Sequence, residues 1–211
     1  MPLANAPRIE PVHKRIRAIH NGKIVIDTAN AKYVWEHNWY PRYYFPINEV
    51  STQVQSTPGA IEVDGYVTFD WDVMDGWYEE DEEVFVHPRN PYTRIDAMRS
   101  SRHVQVELDG QTVADSTSPT ILFETALPPR YYLPPLDVRL DLLTPSETTS
   151  ACPYKGFANY FNLGEHQDAV WTYPTTLPEA RNVIGLYCFY NERVDLIVDG
   201  ERLERPATKF S

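Results

Sequence analysis

The chain repeats itself, and no other feature restricts its fold as much. Arg15-Ile-Arg-Ala-Ile-His20 leads through Asn21-Gly22 into Lys23-Ile-Val-Ile26; 88 residues later, His103-Val-Gln-Val-Glu-Leu108 leads through Asp109-Gly110 into Gln111-Thr-Val-Ala-Asp115. At the same offset Gly22 matches Gly110, Asp27 matches Asp115 and Glu36 matches Glu124. Pro41-Arg-Tyr-Tyr-Phe-Pro46 likewise matches Pro129-Arg-Tyr-Tyr-Leu-Pro134, with no gap anywhere between. A gapless match of this length at one spacing means two copies of one folding unit.

Further on the spacing changes. Gly65-Tyr-Val-Thr-Phe69 aligns with Gly185-Leu-Tyr-Cys-Phe189 at an offset of 120, so the second copy holds thirty-two residues that the first lacks. The surplus is expected to cover Cys152-Pro-Tyr-Lys-Gly156 and Trp171-Thr-Tyr-Pro174. The first copy is therefore expected to be mainly scaffold, and the second to carry whatever site exists.

Period-two alternation around Asn-Gly and Asp-Gly predicts β-hairpins. With 18 Pro against 9 Gly, 14 Tyr and 5 Trp, the composition favours short strands joined by proline-bearing loops over helices. The expected fold class is mainly β, as two related and tightly packed β units with few short helices. Residues 1–13, with three prolines, are expected to form an extended leader. Residues 14–100 are expected to form a degenerate first unit, and 101–205 a complete second one. Trp77 to Tyr92 is too aromatic for a flexible linker. A short helix is expected from Thr176, as N-cap, to Val183, with Pro178 in its first turn. Arg193 to Val198 reads as a last strand.

The net charge of −11 opposes phosphate backbones, so neither nucleic acid nor an anionic membrane surface is an expected partner. No apolar run reaches the roughly 18–20 residues of a membrane span, and the first residues lack a charged-then-apolar signal. A cytoplasmic location is the expectation. Two cysteines, Cys152 and Cys188, are too few for a disulfide framework and are expected to be reduced. The acidic run Glu79-Glu-Asp-Glu-Glu83 lacks the spacing of a calcium loop, so no metal is expected, and no cofactor. There is no Gly-x-Ser-x-Gly elbow, phosphate-binding glycine loop, dinucleotide fingerprint or His-Glu-x-x-His helix.

The candidate chemistry centres on Cys152. Pro153 after it disfavours a helix, so the thiol is presented on a turn, with Lys155 nearby and Gly156 free in φ. An ammonium beside a thiol favours thiolate, which makes Cys152 and Lys155 the catalytic candidates. The alternative is a small buried hydrophobe, with Lys155 tied to Glu124 or Asp137. Candidate ligand-binding residues are Glu124 to orient, Arg130 as a fork-shaped anion donor, and Tyr131, Tyr154, Trp171 and Tyr173 as walls. Because Glu36 and Arg42 recur as Glu124 and Arg130, a Glu to Arg ion pair serving the framework is also expected. The mixture of His87, Arg89, Arg94, Asp96, Arg102 and His103 reads as an interdomain polar network or a second anion site. The expected function is binding of, or action on, a small polar or anionic molecule in the second copy. A non-catalytic interaction module is the alternative.

Arg102-His-Val-Gln-Val-Glu-Leu-Asp-Gly110, Leu122-Phe-Glu-Thr125, Pro129 to Pro134, Asp137-Val138, Cys152-Pro-Tyr-Lys-Gly156, Trp171-Thr-Tyr-Pro174 and Gly185 to Phe189 together resemble the family of the domain of unknown function 427 (DUF427). The resemblance spans most of residues 102–200, and residues 14–92 look like a degenerate copy. It implies a compact β-tent like that of methionine sulfoxide reductase B and certain zinc-binding β proteins. Those proteins often carry paired Cys-x-x-Cys motifs, which this chain lacks, so neither zinc nor reductase chemistry comes with the resemblance.

Overall fold

The computed structural model describes residues 8–208 and Phe210. The chain divides into two compact units, the first ending at Tyr92 and the second starting at Thr93. Both are built from antiparallel strands, and no helix among the described residues is long and apolar enough to cross a membrane.

In unit 1 the strands are β1 (Arg8–Pro11), β2 (Ile16–His20), β3 (Lys23–Thr28), β4 (Lys32–Trp35), β5 (Arg42–Pro46), β6 (Ala60–Val63), β7 (Tyr66–Phe69), β8 (Gly76–Glu79) and β9 (Glu82–Val84). One sheet runs β1-β4-β5-β7-β6 and the other β3-β2-β8-β9. A four-residue helix, α1 (Thr52–Gln55), is N-capped by Ser51, whose Oγ accepts from the Gln53 amide. Alternation in β4 and β5 sends Tyr33, Trp35, Tyr43 and Phe45 inward, where they meet Ile16, Ala18 and Trp77 from the second sheet.

Unit 2 contains β10 (Ile95–Arg99), β11 (Val104–Leu108), β12 (Gln111–Ser116), β13 (Thr120–Glu124), β14 (Arg130–Leu133), β15 (Leu143–Cys152), β16 (Gly156–Leu163), β17 (His166–Thr172), β18 (Tyr187–Phe189), β19 (Asp195–Val198) and β20 (Glu201–Arg202). Its sheets run β10-β13-β14-β18-β17-β16-β15 and β12-β11-β19-β20. Strand for strand this is the order of unit 1, with β15 and β16 added at one edge.

The registers agree as well. Ile9 faces Val34 as Ala97 faces Leu122; Val34 faces Arg42 as Leu122 faces Arg130; and the bridge Ile26 to Val50 recurs as Ala114 to Val138, each 88 residues on. Both hairpin turns need two residues at positive φ: Asn21 and Gly22 at 50° and 70°, then Asp109 and Gly110 at 52° and 77°.

Three boundaries differ from the sequence reading. Order begins before Lys14, since Arg8–Pro11 pairs with β4, and only residues 1–7 of the expected leader lie outside the described residues. Pro11 is tolerated because β1 is an edge strand. The first unit ends at Tyr92 and not at 100, because Ile95–Arg99 pairs as β10 in the large sheet of unit 2, while Trp77 onward supplies β8 and β9 with the acidic run at their turn. The helix expected from Thr176 is a 3-10 turn, Pro178–Val183, with Leu177 as cap residue and no side-chain cap.

The surplus of the second copy is two pieces. Ala60 faces Phe69 as Val170 faces Phe189, so β17 occupies the place of β6 and Trp171-Thr172 has a positional counterpart in Ile61-Glu62. The offset grows from 88 to 110 across the β15–β16 hairpin and from 110 to 120 across the 3-10 turn. These two additions build a second core on the far face of the large sheet, where Leu122, Tyr132, Trp171 and Cys188 pack against Ala158, Ala180 and Val183. In unit 1 the same face stays bare: Ile9, Ile61 and Val63 are 64%, 46% and 43% exposed.

Candidate functional site

Parity along the strands decides which candidates share a face. Residues paired across an antiparallel sheet lie on one side of it. Leu122 pairs with Arg130, Tyr132 with Cys188, Cys188 with Trp171, Trp171 with Tyr160, and Cys152 with Gly156. Glu124, Arg130, Trp171, Tyr173 and Cys152 therefore belong to the face that the second core covers. Tyr131 is one residue out of phase, and its ring packs in the other core with Ile121 and Leu133. It cannot line this site.

Cys152 ends β15 and Gly156 starts β16, so Pro153, Tyr154 and Lys155 form the connecting turn, closed by the Lys155 amide donating to the Cys152 carbonyl at 3.3 Å. Gly156 has φ +105°, and a Cβ there would lie 3.2 Å from the Thr175 carbonyl oxygen. The chain needs glycine at this point because the segment entering the 3-10 turn passes directly over it, with the Leu177 amide donating to the Lys155 carbonyl.

This turn drives Lys155 inward. Its ammonium donates to the Glu124 carboxylate, and Cys152 lies within its electrostatic reach. The Lys155 and Glu124 side chains are only 13% and 11% exposed, whereas Cys152 is half-buried at the edge. Burial alone would lower the Lys155 pKa, but the neighbouring Cys152 and the Glu124 carboxylate that it is bonded to outweigh this and raise it above the ordinary lysine value. Tyr173 lies within electrostatic reach of Cys152 and Glu124, and burial pushes its phenol far above the usual range. Beside it Ser150 and Tyr160 share a hydrogen bond of 2.9 Å. Tyr154 is half-buried in the turn itself.

Arg130 does not join this group. Both of its Nη atoms donate to Glu192, at 2.6 and 2.8 Å, with the Arg130 side chain 7% exposed and that of Glu192 fully buried. Its guanidinium also sits 5.7–5.8 Å from the ring centres of Trp171, Tyr190 and Phe210. A guanidinium so committed has no donor fork left for an anion beside Lys155. Trp171 is likewise core: it is 7% exposed, its Nε1 donates to the Tyr132 hydroxyl at 3.1 Å, and its ring packs on Tyr190.

The expected Glu to Arg framework pair forms in neither copy. Glu36 accepts from the Tyr44 hydroxyl at 2.6 Å, and burial, aided by this bond, pushes that phenol up to about 12. Arg42 pairs with Asp70 at 3.0 Å. Glu192 was not among the expected residues, although the loop after β7 and the loop after β18 both supply an acid to this arginine. His87 and Arg89 belong to unit 1, where His87 donates to the Pro88 carbonyl and Arg89 lies 3.7 Å from Glu82. Arg102 and His103 belong to unit 2 and bind Asp199 and Asp115. Among the described residues no group of three or more His, Cys, Asp or Glu side chains is placed to hold a metal ion.

What unit 2 assembles is a thiol, an ammonium and a carboxylate in sequence, with the thiol nearest to solvent. Such a group can hold a small anion or a carbonyl oxygen on the ammonium, beside a thiol able to react with it.

No curated protein matches the chain. A family model described as a domain of unknown function, DUF427, matches residues 8–58 and 96–200. The two stretches begin 88 residues apart, at the same point of β1 and β10, and cover the first part of unit 1 and most of unit 2; the chain belongs to the DUF427 family.

Proposed function

We propose that unit 2 binds a small polar molecule with an anionic or carbonyl group beside Cys152, with Lys155 as the group that holds it. The observation that carries this reading is a nearly buried ammonium, bonded to the equally buried Glu124 carboxylate and within electrostatic reach of the half-buried Cys152 thiol. Glu124 orients Lys155, and Tyr173 supplies the inner wall. Arg130 and Tyr131 have no part in it.

The test combines labelling and ligand screening. Cys188 is fully buried and burial raises its thiol pKa, so native protein is expected to take up one equivalent of a thiol reagent, at Cys152, and a second only in denaturant. Ligand bound to the folded state at about a hundred times its Kd adds about 2.7 kcal/mol of stability. A thermal-shift screen of small carboxylates, phosphates and aldehydes is expected to yield a stabilising compound whose effect disappears in Lys155→Met. Refusal of Cys152 to react without denaturant, or equal responses in parent and variant, removes this reading.

A second reading, an interaction module, draws on the bare outer face of unit 1, where Ile9, Ile61 and Val63 are exposed. It predicts association that is concentration-dependent in sedimentation and is abolished by Ile61→Arg. A monomer at every concentration, with no partner lost on that substitution, refutes it.

A further inference from the structure

Sequence comparison makes the first copy the scaffold, yet unit 1 carries an aromatic cleft of about 230 Å³. Tyr43 and Trp77 line it from the core side, and Trp71 stacks on Trp77 at 5.1 Å with 25° between the rings. At the mouth Tyr40 lies flat on His87, 3.9 Å apart and within 6° of parallel, and His37 meets Tyr40 edge-on. Cores bury aromatics to remove them from water; here they line an opening.

The corresponding place in unit 2 is closed. Arg130 is the counterpart of Arg42, and Tyr190, at the offset of 120, that of Asp70. In unit 2 the ring of Phe210 packs 5.7 Å from Tyr190 and 5.7 Å from the Arg130 guanidinium, and Thr208 donates to Glu192 beside it. In unit 1 Arg42 and Asp70 line open space. One copy fills this position with its own chain, and the other leaves it for something else.

We propose that the unit 1 cleft binds a flat, cationic nitrogen heterocycle of one or two rings. The volume suits a molecule of that size and is below the range of larger ligands. Flatness follows from the ring surfaces, since stacking on Trp71 and Tyr40 rewards a planar partner. The sign of the charge follows from the rim. Arg42 is already paired with Asp70 and bonded to Thr68, so Glu36 leaves the cleft negative on balance. Unit 1 as a whole has fourteen acidic residues against eight basic ones through residue 92, which favours cations at its surface. Indole and phenol faces attract cations in addition.

The probe is 4-aminoquinoline, followed by calorimetry and by saturation-transfer NMR of the ligand. Two controls accompany it: 2-naphthoate, flat but anionic, and cyclohexylammonium, cationic but not flat. The expected result is saturable binding of 4-aminoquinoline at least ten-fold tighter than either control. It is weakened at least ten-fold by Trp71→Ala and several-fold by Glu36→Gln, and is unchanged by Lys155→Met, which separates it from the unit 2 site. Glu36 is exposed, so its variant keeps the fold and the test stands even if Trp71→Ala does not fold. Absence of saturable binding, 2-naphthoate binding as tightly, or indifference to Glu36→Gln overturns the proposal.

Discussion

An Arg130→Met protein is expected to lose about 3–5 kcal/mol of the stability of unit 2, the usual cost of removing one partner of a buried ion pair. The side chain removed is 7% exposed and leaves the fully buried Glu192 carboxylate with only the Thr208 hydroxyl and its backbone surroundings. Burial alone would raise the Glu192 pKa, but the hydrogen bonds from Arg130 and Thr208 outweigh it and hold the carboxyl below its ordinary value of 4.5. The sign of the pH dependence follows. A depressed folded-state pKa contributes stability that is fully present above about 4.5 and is lost as pH falls through the folded value. The gap between parent and Glu192→Gln is therefore flat through neutral pH and narrows in acid. Hydrogen exchange checks the location: protection should fall in β14 and β17, the strands whose side chains Arg130, Tyr132 and Trp171 meet there. Unchanged exchange in those strands, or a loss under 1 kcal/mol, would show that the pair is not a support of the fold.

The repeat, the hairpins and the β class were legible because each rests on local signals: two-residue turns, period-two alternation and a fixed offset. What failed needed partners far along the chain. β1 is four residues ending in proline, too short for alternation to speak, and it is visible only as the +88 counterpart of β10. Trp77 to Glu79 kept its register against β2 while its side chains diverged from those of β19, so identity vanished where pairing persisted. Tyr131 entered the candidate site through its neighbours in sequence, although alternation along β14 already turns it away from Arg130. Arg130 finds its acid 62 residues later, which no adjacency could announce. Lys155 with Glu124 was one of two pairings open at the sequence level, and the tight turn at Gly156 selects it. The cleft of unit 1 left no signature, because its walls come from segments that only the sheet order brings together.

The second large effect is expected at Lys155. Lys155→Met keeps the length and apolar stem of the side chain but strands Glu124, which is 11% exposed, without its ammonium, and about 3–5 kcal/mol should be lost. Glu124→Gln in the same background relieves much of this, because the desolvated charge is gone; the double variant should fall well short of the sum of the single losses. The pH dependence has the opposite sign from that at Glu192. The Lys155 pKa is raised above 10.5, so its contribution is fully present below that value and disappears as pH rises through the folded one. The deficit of Lys155→Met is thus constant through the neutral range and closes only in strong alkali. The same variant separates support from function. If Lys155 only braces the turn, alkylation of Cys152 speeds up as the hairpin loosens, and Glu124→Gln restores the parent rate. If the ammonium sustains negative charge on sulfur, alkylation slows in Lys155→Met, and the double variant, though stabler, stays slow. The rate in the double variant decides between a brace and a site.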